Sequence, residues 1–134
     1  MKETVVCDVS IVTFSGGTHS RSSARGIAVR REDGFLLVYP QDGDRSQICF
    51  RGKTLQMTRT GQTDLSMSFE EGRRTEFVLR LGEERGSVPI ETDRCHIRVV
   101  QDGWRILLKY RILYAQESQV FHVNIAVKFI SEEQ

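Results

Sequence analysis

With 134 residues, 39% hydrophobic and 28% charged, the chain is long enough to form one domain with a core of its own, spanning 1–134. Its 19 Lys and Arg against 18 Asp and Glu leave a net charge of +1, which argues against a strong electrostatic nucleic-acid binder. No apolar run approaches the ~20 residues of a membrane-crossing helix, so no membrane partner is expected.

The start, Met1-Lys2-Glu3-Thr4, passes straight into strand pattern without the apolar stretch of a signal peptide. Cys7, Cys49 and Cys95 are odd in number and widely spaced, so neither a disulfide framework nor a CxxC site is expected. A reducing cytoplasm is the simplest compartment for such a chain.

The predicted elements are strands throughout. Val5, Cys7, Val9 and Ile11 alternate with Val6, Asp8 and Ser10. Phe14 to Ser23 is rich in Ser and Gly and reads as a mobile loop. Gly26 to Arg31 and Phe35 to Tyr39 flank Glu32-Asp33-Gly34, a tight-hairpin signal, and Gln41-Asp42-Gly43-Asp44 is a further turn. Ile48 to Arg51 and Leu55 to Arg59 follow, and turns at Thr60-Gly61-Gln62 and Glu70 to Arg73 lead into Leu65 to Phe69 and Phe77 to Leu81. Between Val88 and Val100 the apolar positions switch from even (Ile90, Thr92) to odd (Ile97, Val99), which predicts a bulge near Asp93 to Cys95.

The last quarter carries the clearest pattern. Trp104, Ile106, Leu108, Tyr110, Ile112 and Tyr114 alternate with Arg105, Lys109 and Arg111. Phe121, Val123, Ile125, Val127 and Phe129 alternate with His122, Asn124 and Lys128. Period-2 alternation gives one buried and one wet face. Placing Tyr114 opposite Phe121, with Ala115 to Val120 as the connection, brings Ile112 to Val123, Tyr110 to Ile125 and Leu108 to Val127.

About ten short antiparallel strands in sequential hairpins leave two open edges unless the sheet closes. An up-and-down β-barrel of about 8–10 strands is therefore the first expectation, and a two-sheet sandwich the second.

A family resemblance agrees with this. Leu55-Gln56-Met57-Thr58-Arg59-Thr60-Gly61, followed by Leu65 to Gly72, resembles the YwiB-like family of bacterial proteins. Gly34 to Tyr39 and Leu107-Leu108-Lys109-Tyr110 fit the same layout. The resemblance implies a calycin-like barrel, related in architecture to lipocalins, in a cytoplasmic protein of unknown function. It brings no catalytic residues. Where such proteins usually show a Tyr-Thr pair before the Gly, this chain has Phe77 to Leu81 and then Gly82, so no tyrosine hydroxyl stands there.

Candidate chemistry lies inside such a barrel. Arg59 shares a strand face with Leu55 and Met57, and a buried guanidinium requires a partner. In an up-and-down meander Arg59 falls at the rim that also carries Tyr39, Glu83, Tyr114 and the Phe14 to Ser23 segment. One reading makes these four residues the mouth for a small apolar or amphipathic anion. The other makes Arg59 a structural clasp, reaching water or pairing with Glu83. Trp104 falls at the opposite end as a plug, and the bulky aromatic and Met residues read as core.

The second functional candidate is the outer strip Arg105, Lys109, Arg111 and Lys128, facing RNA or an acidic protein. No aromatic residue is interleaved with this strip for base stacking, which argues against nucleic acid. A protein partner or a second copy of the chain stays open. No metal or cofactor is expected: Cys95 and His96 point to opposite faces, and Ser15-Gly16-Gly17-Thr18 lacks the Lys and helix of a phosphate loop. The pairs Glu70-Glu71, Glu83-Glu84 and Glu132-Glu133 read as turn or tail charges, and no enzymatic activity is expected.

Overall fold

The computed structural model describes residues 3–130. The sequence-start residues Met1-Lys2 and the Glu132-Glu133 tail lie outside them. Ten strands follow one another: β1 (Glu3–Ser15), β2 (Thr18–Arg31), β3 (Gly34–Gln41), β4 (Asp44–Arg51), β5 (Thr54–Thr60), β6 (Asp64–Phe69), β7 (Arg74–Leu81), β8 (Glu84–Val100), β9 (Gly103–Leu113) and β10 (Ser118–Phe129). Each pairs antiparallel with its neighbours in sequence, and β1 pairs β10, so the sheet closes into a barrel without open ends. Closure removes the edges that a meander of this kind would otherwise present to other chains.

This topology sorts the turns. Those after β1, β3, β5, β7 and β9 lie at one rim, the upper rim, and the others at the lower rim, where β1 begins and β10 ends. The β3–β4 turn shows why the chain reverses there: Asp42 and Gly43 both have positive φ, 51° and 84°, the conformation a two-residue hairpin turn requires and Gly adopts freely.

Three details depart from the sequence reading. Phe14 to Ser23 is not a mobile loop. β1 and β2 run on as a hairpin to Ser15 and Thr18, turning at Gly16-Gly17 alone. The Ser15 hydroxyl donates to the Val120 carbonyl at 3.0 Å and accepts from Gln119 Nε2 at 2.9 Å, which fastens the ribbon tip to β10. The Gly-Gly turn, not the Ser content, decides the local structure.

The second departure is the closing register. Phe121 lies opposite Tyr110, Val123 opposite Leu108 and Val127 opposite Trp104. The connection is the shorter segment 114–117, held by the Tyr114 N–H donating to the Glu117 carbonyl at 2.9 Å. The tighter turn also lets the Tyr110 and Phe121 rings stack at 5.1 Å. The slip is even-numbered, so every side chain keeps its expected face. Third, the β2–β3 turn consists of Glu32 and Asp33, and Gly34 already belongs to β3. Its missing side chain admits the Phe50 carbonyl, 1.7 Å from where a Cβ would stand.

The predicted bulge is present. The β8–β9 register shifts between Thr92 and Arg94, so Ile90 and Thr92 above it and Cys95 and Ile97 below it all face the inside. The Cys95 N–H donates to Glu71 Oε1 at 3.0 Å, which ties the bulge to the β6–β7 turn.

Inward residues fill the middle and lower barrel. Leu37, Ile48, Leu55, Phe69, Ile106 and Ile125 are buried at its centre, each worth roughly 1.5–3 kcal/mol by burial. At the lower rim Trp104 stacks on Phe35 at 4.1 Å and meets Phe129 edge-on at 5.0 Å, so that end is plugged.

Candidate functional site

Arg59 reaches inward near the upper rim, and its partner is Asp44. Arg59 Nε donates to Asp44 Oδ2 at 2.8 Å, and Nη2 donates to the Gln41 carbonyl at 3.4 Å. Asp44, the first residue of β4, is buried and also accepts from the Gln62 N–H at 3.0 Å. That backbone bond, then the Arg59 hydrogen bond, holds its carboxyl below the usual carboxylate range. Glu83, the carboxylate the sequence placed beside Arg59, is exposed in the β7–β8 turn. Asp44 wins because β4 pairs directly with β5, whereas β6 and β7 stand between β5 and the turn carrying Glu83.

Register places the other residues. Tyr39 lies opposite Ser46, and Ser46 opposite Arg59. Tyr39 is buried at 5% exposure, and burial raises its pKa against the opposing effects of Ser46 and Arg59. The row then continues from Arg59 to Leu65, Leu79 and Gly86. One inner row thus carries a polar half on β3–β5 and an apolar half on β6–β8.

At the apolar end an open cleft of about 440 Å³ lies between the β7–β8 hairpin and Tyr114. Phe77, Leu79, Leu81, Val88, Ile112 and Tyr114 give it apolar walls, and Glu84 and Arg85 are charged neighbours. The cleft exists because β8 runs beyond its partner: its pairing with β9 begins only at Ile90–Ile112, while its pairing with β7 continues to Glu84. Leu81 and Tyr114 are 54% and 45% exposed there, an apolar surface left open at the rim. Gly86 is part of this space, since a Cβ on it would meet nothing within 4 Å. Of the four rim residues proposed from sequence, Arg59 and Tyr39 share the polar half, Tyr114 lines the cleft, and Glu83 stands outside both.

The outer strip divides. Arg111 is bound to Glu91 at 2.8 Å, with Asp93 at 3.7 Å, while Lys128 lies opposite Asp8, whose carboxylate pairs with Arg25 at 3.3 Å. Arg105 and Lys109 are exposed and make no ion pair among the described residues.

The three thiols are free, and two of them are held in the protonated form. Burial, followed by the Asp8 charge, pushes Cys7 up to about 11, and burial with Glu71 does the same to Cys95. Cys95 faces Leu108 on the inside and His96 faces Leu107 on the outside, so the two diverge. Among the described residues no three His, Cys, Asp or Glu side chains gather as metal ligands.

These features define a closed ten-stranded up-and-down β-barrel, plugged below and grooved at its upper rim. The chain belongs to the family described as a domain of unknown function, DUF1934, whose profile matches residues 14–126. Among solved structures it is similar to the ywiB protein from Bacillus subtilis, with a TM-score of 0.74 and 13% identity, covering 97% of this chain and 94% of that one. That likeness concerns the fold. The structure of PNGF-II aligns with a TM-score of 0.30 and 8% identity, over 97% of this chain and 29% of its own length, and carries no argument. No curated protein matches the chain.

Proposed function

We propose that this barrel is a non-enzymatic binding protein for a small amphipathic anion held at its upper rim. The observation that carries the reading is the continuous inner row in which Arg59, Leu65, Leu79 and Gly86 stand side by side on successive strands. The apolar part of the ligand occupies the cleft floored by Gly86 and walled by Leu79, Leu81 and Tyr114. Its charged end points along the row towards Arg59, three strand spacings or about 14 Å from Gly86 and two spacings from Leu79. Arg59 commits Nε and Nη2 within the protein and keeps its remaining N–H groups for an acceptor. The filled middle of the barrel confines binding to the rim.

The arrangement is that of a calycin-like barrel used at one open end, an analogy of fold. A binding role without chemistry is supported by Cys7 and Cys95 being kept protonated. Three free cysteines support a cytoplasmic setting.

Thermal unfolding with dodecanoate as the probe tests the reading. A specific ligand at about 100 times its Kd adds about 2.7 kcal/mol to stability, and native mass spectrometry shows a one-to-one adduct. Gly86→Leu, which fills the cleft without backbone strain, removes both effects and leaves the unliganded melting temperature in place. Stabilisation that survives Gly86→Leu, or no stabilisation by any chain length from hexanoate to palmitate, overturns the proposal.

A further inference from the structure

The near-zero net charge conceals a segregated surface. Across the outer face of β8, β9, β10, β1 and β2, one row reads Arg94, Lys109, His122, Phe14, His19. The next row down carries His96, Leu107 and, two strands beyond Asn124, Arg21. The third begins Arg98, Arg105 and continues with Ala126, Ser10 and Ser23. No carboxylate occurs in these rows, all three histidines of the chain lie in them, and the rest of the chain is net acidic.

Two cation pairs stand directly opposite each other on neighbouring strands, Arg94 with Lys109 and Arg98 with Arg105. Like charges in that relation destabilise a sheet. None of these four, nor Arg21, makes an ion pair among the described residues. The face is thus a field of uncompensated positive charge on a closed sheet.

It also carries the aromatic surface that the C-terminal strip lacks in sequence. Phe14 is 43% exposed, with the His19 ring at 5.8 Å on one side and His122 opposite it on the other. Two shallow depressions meet at His122. One, of about 360 Å³, is bordered by Arg94, Leu107, Lys109 and Asn124, with Asp93 at its margin. The other, of about 490 Å³, is bordered by Phe14, His19 and the Gly16-Gly17 turn.

We propose that this outer face binds single-stranded nucleic acid, with phosphates on Arg94, Arg98, Arg105 and Lys109 and bases stacked on Phe14 and its flanking histidines. Stacking on exposed rings beside cations, without base-edge readout, is how sheets hold single strands with little sequence preference. An acidic peptide would use the cations and gain nothing from Phe14. The proposal is independent of the rim cleft, which opens on the inner face.

Fluorescence anisotropy with a labelled 12-mer oligouridylate tests it. Neutralising about four phosphates gives a log–log salt slope near −3, so affinity falls about 50-fold between 50 and 200 mM salt. Phe14→Ala weakens binding about tenfold with the slope unchanged. Arg98→Glu with Arg105→Glu weakens it and flattens the slope, whereas Arg80→Glu on the outer face of β7 leaves it unaltered. Circular dichroism of each variant, all at exposed positions, confirms the fold. Absence of binding, or binding insensitive to Phe14→Ala and matched by polyglutamate or heparin, overturns the proposal, as does an equal loss with Arg80→Glu.

Discussion

Arg59 Nε and Asp44 Oδ2 stand 2.8 Å apart, one at the end of β5 and the other at the start of β4. The pair closes the polar half of the upper rim. The Asp44 side chain is 6% exposed and the Arg59 side chain 25%, so water screens the bond only from one side. Because Asp44 also accepts from the Gln62 N–H, the same carboxylate fixes the β5–β6 turn. Removing its charge should loosen both.

The pH dependence follows from the direction of the Asp44 shift. Its folded pKa lies below the ordinary 3.8. Its contribution is therefore complete above 3.8 and is lost as pH falls through the lower folded value. Urea unfolding of the parent protein and of Asp44→Asn should show a constant difference in midpoint between pH 5 and 8, closing below pH 4. A difference that persists undiminished at pH 2.5 would contradict the ionised pair. The double variant Arg59→Met, Asp44→Asn should cost less than Arg59→Met alone, since the single change strands a buried carboxylate.

How far sequence reaches is visible in these residues. Alternation places Arg59 inside and at the upper rim, because period 2 and strand direction are local properties. Its partner is illegible: Asp44 looks like one more acidic residue in the turn Gln41 to Asp44, and only the β4–β5 register brings it to Arg59. The cleft is likewise invisible, since it arises from unequal strand lengths on β8 and β9. Phe14 is hidden for another reason. The Ser- and Gly-rich segment after it resembles a loop in composition, and its ring reaches the basic face only when β1 closes onto β10. Net charge, a sum over the whole chain, says nothing of a face assembled from five strands. The bulge at Asp93, by contrast, is legible because an inserted residue must flip the pattern in the sequence itself.

Two of the thiols should report the fold. With Cys7 and Cys95 both raised from 9.0 to about 11, the thiolate fraction near pH 8 is about one hundredth of that in the unfolded chain. In a Cys49→Ser background, reaction with an aromatic disulfide at pH 8 should be about a hundredfold slower for native than for urea-unfolded protein. Linkage has the opposite sign to that of Asp44. The folded values exceed the unfolded ones, so the contribution is complete below pH 9 and is lost as pH rises from 9 through 11. Equal reaction rates in native and unfolded protein would show these sites to be open.

The lower rim offers the sharpest stability test. Trp104 is the chain's only tryptophan and is 5% exposed. It stacks on Phe35 at 4.1 Å and takes Phe129 against its edge, while Phe129 carries the Arg30 guanidinium on its face at 5.0 Å. The four side chains form one chain of contacts across β9, β3, β10 and β2, strands that are not all neighbours, so the plug holds opposite walls of the barrel together. Trp104→Ala leaves a large void there and should cost about 3–5 kcal/mol. Trp104→Phe preserves an aromatic face for Phe35 and should cost clearly less. Urea unfolding followed by circular dichroism measures both, with an unchanged m value showing that the same surface is exposed. In the parent protein, Phe35→Ala should shift the Trp104 emission to the red as water reaches the indole. A cost below about 1 kcal/mol for Trp104→Ala, with no emission shift in Phe35→Ala, would mean that the barrel is closed by its backbone alone and that its lower end needs no plug.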